Sequence, residues 1–230
     1  MKTILLLLCF FLKTMNADAS KTDYVHHPKP TKPIFLNTNL YKKFKTQMTP
    51  PPSMESKEQK NDEKILFNHQ ISRSKEVCEI SKTEVFVNLS NFYGKPNGPL
   101  SKKQVSRLNP FFDKIRNDGD FFIQKIKKNY SRKRPFEYLK NIHPCVPKEV
   151  TKAYPSGHAT LAHLYALILS DFFPNKKNEL LKRGEEIGNH RVIVGVHHPT
   201  DITSGRALAF MIYKELKKSK KYQKEINKLK

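Results

Sequence analysis

Apolar positions recur along this chain at helical intervals rather than alternating ones. Between Ser101 and about Asn129, Leu108, Phe111, Phe112, Ile115, Phe122, Ile123 and Ile126 fall mostly three and four residues apart. That spacing predicts one long amphipathic helix, with Gly119 as the candidate interruption. Gly157 to Phe173 is apolar almost all round (Leu161, Ala162, Leu164, Ala166, Leu167, Ile168, Leu169), which predicts a central, buried helix. Asn175 to about Val194, Pro199 to about Lys217 and a Lys-rich C-terminal stretch read as further helices. Ser56 to Ser81 is polar with apolar spots at Ile65, Leu66, Ile71, Val77 and Ile80, and reads as one or two amphipathic helices. Val85–Pro99 carries Gly94, Pro96, Gly98 and Pro99 and reads as a loop. Pro135–Tyr154, with Pro144 and Pro147, reads as irregular. Residues 20–55 are rich in Pro and Lys and read as an extended lead-in with little core of its own. No strong strand pattern and no internal repeat appears, so the expected class is all-α, with one helical domain over residues 56–230.

The first residues, MKTILLLLCFFLKTMNADAS, follow a different logic. Lys2 precedes an apolar run from Ile4 to Leu12, and Ala17-Asp18-Ala19 then offers a small-x-small cleavage site. The run is too short for a helix to cross a hydrocarbon layer of about 30 Å. The order of parts is that of a secretory signal over residues 1–19, cleaved after Ala19, so a periplasmic or secreted protein without a transmembrane anchor is expected. Cys9 leaves with the signal, and Cys78 and Cys145 remain as the candidate pair for a disulfide in an oxidising compartment. There is no CxxC pair and no Cys/His cluster at zinc spacing, so no metal or other cofactor is expected.

Composition adds a bias but no identity. The chain has 230 residues, 43 Lys and Arg against 21 Asp and Glu, and a net charge of +22, about +21 once Lys2, Lys13 and Asp18 are removed. Such a balance suits an anionic partner. The cations are mostly Lys and scattered, as a solvated surface also requires. With 37% hydrophobic residues, 15 Phe and 9 Tyr, the chain has enough apolar material for a packed core.

Three stretches carry candidate chemistry. Lys127 and Arg134 are seven residues apart, which on a helix is nearly two turns, about 20° off one face and roughly 10 Å along the axis. Two such cations can grip a tetrahedral anion. In Tyr154-Pro155-Ser156-Gly157-His158, Ser156 suits the N-cap of the central helix, Gly157 permits close approach of a ligand, and the free N–H groups of a helix start favour an anion facing His158. In the 190–201 stretch HRVIVGVHHPTD, Pro199 suits the first helical position, which makes His198 the N-cap and Asp201 the N3 residue. Asp201 is then placed to accept a hydrogen bond from the ring of His197, fixing its tautomer and raising its basicity. Each stretch alone is also what a Lys-rich helix end, an ordinary cap or a capping Asp beside two surface histidines produces.

Together the three blocks form the pattern K-x6-RP … PSGH … R-x5-H-x3-D, through Lys127, Arg134, Ser156, Gly157, His158, Arg191, His197 and Asp201. This resembles the superfamily of type 2 phosphatidic acid phosphatases, bacterial non-specific acid phosphatases and vanadium haloperoxidases. Within it, the class A bacterial acid phosphatases are most similar. RPF at 134–136, YPSGH at 154–158, LKRGEEIG at 181–188 and RVIVGVHHPTD at 191–201 look like segments of that group, as do Gly119-Asp120 and Pro50-Pro51-Pro52. The resemblance spans roughly residues 48–225. One departure is His190, where the family usually has Ser, which bears on local hydrogen bonding and pocket charge.

The resemblance implies a compact helical bundle and hydrolysis of small-molecule phosphomonoesters without a metal. It implies that Lys127, Arg134 and Arg191 clamp the phosphoryl oxygens, aided by Ser156 and the Gly157 N–H. His197 then becomes a phosphohistidine, Asp201 holds it, and His158 acts as acid and then base. Two rivals stand beside this reading: a vanadium-dependent haloperoxidase using the same pocket, and a basic exported protein that binds nucleic acid or another polyanion. The residues do not choose between a monomer and a homo-oligomer.

Overall fold

The computed structural model describes residues 24–25, 28–94 and 98–229. The signal-peptide reading of residues 1–19 therefore lies outside the described residues. Eight α-helices are present among them: α1 (Leu40–Gln47), α2 (Lys57–Ser72), α3 (Lys75–Thr83), α4 (Lys102–Tyr130), α5 (Gly157–Phe172), α6 (Lys177–Ile193), α7 (Pro199–Lys218) and α8 (Lys220–Leu229). The sheet content is two residues on each side, β1 (Tyr24–Val25) pairing in parallel with β2 (Lys148–Glu149). The class is all-α, as the periodicity indicates.

Several helix starts are written into the chain by Ser caps. Ser56, Ser74, Ser101 and Ser156 each accept a hydrogen bond from the backbone N–H three residues on, at 3.1, 3.4, 3.3 and 3.2 Å. At Ser101 the Gln104 side chain reaches back to the Ser101 N–H at 2.8 Å, closing a capping box. Helix α4 then runs for 29 residues through both Pro110 and Gly119. Gly119 does not interrupt it. A Cβ there would lie 2.8 Å from Leu161 Cδ2, so the glycine marks close contact between α4 and α5. Ser131, in the left-handed region at φ 48°, ends α4 and turns the chain away.

Helix α5 is the centre. Leu164, Ala166, Ile168 and Leu169 are fully buried, and α4, α6 and α7 pack around it. The approach of α7 is so close that a Cβ on Gly205 would sit 2.7 Å from the Ser156 carbonyl oxygen and 2.9 Å from Ala159 Cβ. The lead-in is not wholly extended. It carries α1, whose Phe44 is buried edge-on against Phe122 of α4 with ring centroids 5.0 Å apart. Phe35 and Leu36 are also core residues, tied down by Asp118, which accepts hydrogen bonds from the N–H groups of Ile34, Phe35 and Leu36 at 2.5, 2.9 and 3.1 Å. The packed body thus begins well before residue 56, because burying two Phe outweighs the local bias of the Pro-rich composition. Cys78 and Cys145 are joined in a disulfide, tying α3 to the irregular segment before α5. No described helix is long and apolar enough to cross a membrane.

Candidate functional site

The three sequence blocks meet at the N-terminal end of α5. Lys127 comes from the last turn of α4, Arg134 from beyond its end, Ser156 to His158 from the start of α5, Arg191 from the last turn of α6, and His197 to Asp201 from the loop into α7. Lys127 and Arg134 do not share a helix. The left-handed Ser131 breaks α4 between them, and Arg134 instead precedes a 3-10 turn at Pro135–Glu137. They approach through tertiary folding, not helical spacing.

His197 is fully buried. Its Nδ1 lies 3.3 Å from Asp201 Oδ2, and its Nε2 lies 3.2 Å from Arg134 Nη1. Arginine can only donate, so Nε2 carries the lone pair and Nδ1 the proton. Burial, together with the positive charge of Arg134 and Lys127, drives the His197 pKa down to about 3 against the opposing pull of Asp201. The ring is therefore neutral, with an unprotonated nitrogen turned toward the cations. Asp201 also accepts from the His198 N–H at 2.8 Å, from His198 Nδ1 at 3.0 Å and from Arg132 Nη1 at 2.6 Å. Burial alone would raise its pKa, but His198, His197 and Arg132 hold it well below the ordinary carboxylate value.

His158 is buried in the first turn of α5. Its Nε2 meets the Val85 carbonyl oxygen at 3.1 Å, so Nε2 carries a proton and Nδ1 faces Glu149 Oε1 at 3.4 Å. Ser156 uses its hydroxyl oxygen to cap α5, while its N–H donates to the Asp201 carbonyl oxygen at 3.0 Å. Lys127 Nζ donates to the Lys152 and Ala153 carbonyls. Burial and the neighbouring Arg134 lower its pKa to about 7. Lys127, Gly157, His158, Glu149 and Thr151 line a common cavity.

Arg191 is buried and donates through Nη2 to the Ser81 carbonyl at 2.8 Å and to Glu84 Oε2 at 3.1 Å. Its Nε is buried and has no hydrogen-bond partner among the described residues. Glu84 also holds Arg183 Nη2 at 2.7 Å and His190 Nδ1 at 2.9 Å. His190, the departure noted in the sequence, is therefore one more partner of the carboxylate that anchors Arg191.

The motifs did not single out Glu84, Glu149 or Arg132. Arg132 bridges Asp201 to Asp62 at 3.0 Å and to Gln59, tying α2 to the start of α7. Glu149, His158 and His197 place ligand-capable atoms within 4.8 Å of one another. Arg134 contacts two of these three side chains, and Lys127 and Arg191 are close enough to bias its surroundings further. A donor set so dominated by cations suits an oxyanion better than a metal cation.

Comparison with known proteins places the chain among relatives. A family model described as the PAP2 superfamily matches residues 100–224. A non-specific acid phosphatase of Providencia stuartii is 28% identical over 193 residues, covering 80% of this chain and 77% of that protein. One from Salmonella typhimurium is 27% identical over 237 residues, covering 96% and 90%. Among solved structures, a bacterial vanadium-dependent iodoperoxidase superposes with a TM-score of 0.54 at 13% identity. That match covers 81% of this chain and 59% of the iodoperoxidase, a likeness of fold.

Proposed function

The chain belongs to the PAP2 superfamily, and on that premise we propose that it is an exported acid phosphatase hydrolysing phosphomonoesters, without a metal, through a phosphohistidine at His197. Export rests on the signal-like residues 1–19, and the phosphatase activity on the kinship with acid phosphatases. The observation that carries the mechanism is the state of His197: neutral, held through Nδ1 by Asp201, with the Nε2 lone pair beside Arg134.

In this reading Lys127, Arg134 and Arg191 spread their charge over the phosphoryl oxygens, with the Gly157 N–H and Ser156 at the positive end of α5 adding donors. His197 Nε2 attacks phosphorus as the bond to the leaving oxygen breaks. Asp201 stabilises the imidazolium that forms. His158, entering as the imidazolium with Nε2–H held by the Val85 carbonyl, gives its Nδ1 proton to the leaving alkoxide, then takes one at Nδ1 from the water that attacks the phosphohistidine, which releases phosphate and restores both histidines. General acid catalysis by a positioned histidine typically contributes about 10²–10⁴-fold.

The test is turnover of p-nitrophenyl phosphate and a panel of phosphomonoesters from acid to neutral pH. Hydrolysis that survives EDTA and is blocked by vanadate, a trigonal-bipyramidal mimic at His197, is the expected result. His197→Ala should melt like the wild type and turn nothing over. Near wild-type activity in that variant removes the nucleophile assignment. Complete loss on chelation removes the metal-free claim. Halide oxidation with vanadate and peroxide, in place of hydrolysis, overturns the whole reading.

A further inference from the structure

Glu149 is a charged group that the proposed reaction does not use, yet it lies against Arg134, His158 and His197. It is only 9% exposed, on β2, within the segment that leads into α5. Its two carboxylate oxygens do different things. Oε2 accepts from Arg134 Nη2 at 2.6 Å, and Oε1 faces His158 Nδ1 at 3.4 Å. One of its oxygens also lies within 4.8 Å of a His197 ring nitrogen. Its charge acts on Lys127 and Arg191 as well. A single anion therefore touches the phosphoryl clamp, the proton donor and the neighbourhood of the nucleophile. A phosphomonoester bound for attack by His197 would put a non-bridging oxygen on Arg134 and its leaving oxygen on His158. Arg134 and His158 are also contacts of the carboxylate, which in addition accepts from Thr151 Oγ1 at 3.4 Å.

We propose that Glu149 is an affinity-determining residue of the phosphoryl site, an internal carboxylate ligand that substrate or product phosphate must displace. The inference rests on the reading above, that this cavity binds a phosphoryl group. A carboxylate and a phosphate cannot share Arg134 and His158, because like charges a few ångströms apart in a buried site repel strongly. Displacement needs local movement only. Glu149 sits on a two-residue strand in an otherwise irregular stretch, not within a packed helix. The neighbouring contacts of Arg134 and Lys127, to the carbonyls of Thr151, Lys152 and Ala153, hold the clamp in place while the side chain moves. A dianionic monoester gains more from the clamp than the single charge of Glu149 supplies, whereas a monoanion gains little. The carboxylate thereby biases the site toward dianions.

The experiment is calorimetric titration of the purified protein with inorganic phosphate, comparing wild type, Glu149→Gln and Glu149→Asp, with thermal melts alongside. Glu149→Gln should bind phosphate about tenfold more tightly, the factor expected if the internally occupied state holds roughly nine-tenths of the molecules. Glu149→Asp, one methylene too short to span both partners, should bind more tightly by a smaller factor. Equal or weaker binding by a folded Glu149→Gln overturns the proposal while leaving the phosphoryl site standing. If that variant does not fold, the same comparison is decided by Glu149→Asp. If neither the wild type nor any variant binds phosphate, the phosphoryl-site reading falls and takes this one with it.

Discussion

Replacing Glu84 by glutamine isolates the charge of one carboxylate that touches no substrate in the proposed reaction. The side chain is 0% exposed and meets three cationic or titratable partners, Arg183 at 2.7 Å, His190 at 2.9 Å and Arg191 at 3.1 Å. Glutamine keeps the shape and removes the charge that both arginines share. Taking one partner from a buried ion pair costs about 3–5 kcal/mol. At this chain length that corresponds to about 6–20 °C in melting temperature. Arg191 would also lose the anchor that sets its unpaired Nε, and removal of one such donor costs about 10²–10³-fold in kcat. Thermal melts by circular dichroism and kinetics on p-nitrophenyl phosphate read the two effects separately. The pH dependence supplies a signature. Burial pushes the Glu84 pKa up, but His190, Arg191 and Arg183 outweigh it, so the folded value lies below the ordinary 4.5. The stabilisation is thus present in full above pH 4.5 and is lost as pH falls through the lower folded value, so wild type and variant should converge only in acid. A variant that melts within about 2 °C of wild type near neutral pH, well inside the range a buried pair commands, would refute the reasoning. So would unchanged kcat/KM.

Two further outcomes follow from the packing and the charge of the site. Because burial and Arg134 bring the Lys127 pKa to about 7, its ammonium should be lost as pH rises through that value. Wild-type kcat/KM should therefore fall above pH 7 by a step that Lys127→Met lacks, and a wild-type profile without that step contradicts the assignment. Gly205→Ala forces a Cβ to within 2.7 Å of the Ser156 carbonyl oxygen. Overpacking of this kind costs about 1–3 kcal/mol, and since the displaced backbone begins α5, activity should fall with stability. A melt and turnover equal to wild type would mean that α7 does not fix the start of α5.

The helices were readable where local rules suffice. Ser101 with Gln104 announces α4, and the all-round apolar run of α5 announces its central place. His198, Pro199 and Asp201 likewise stand at the N-cap, first and third helical positions, as the preference of proline for the first position predicts. What stayed hidden depends on distance along the chain. Glu84 lies 107 residues from Arg191 and Arg132 69 from Asp201, and no spacing rule links such positions. A search for cations that grip an anion is also blind to the carboxylates that hold those cations in place, which is why Glu84 and Glu149 went unmarked. Phe35, Leu36 and Phe44 were masked by the surrounding Pro and Lys, since composition averages over the few residues that enter the core. The shared-helix reading of Lys127 and Arg134 failed at one backbone angle, that of Ser131, where a serine takes a conformation usual for glycine.

The pairing of β1 with β2 has a practical side. Tyr24 and Val25 lie edge to edge with the strand that carries Glu149, so residues near the beginning of the chain brace one wall of the cavity. An affinity handle or a fused partner at that end would not be a neutral addition. Either is liable to alter ligand affinity and to be mistaken for an intrinsic property of the enzyme. The opposite end is the safer place for handles and surface immobilisation. There Tyr222 of α8 packs on Phe35 and Phe111, and α8 contributes no described residue to the cavity lining.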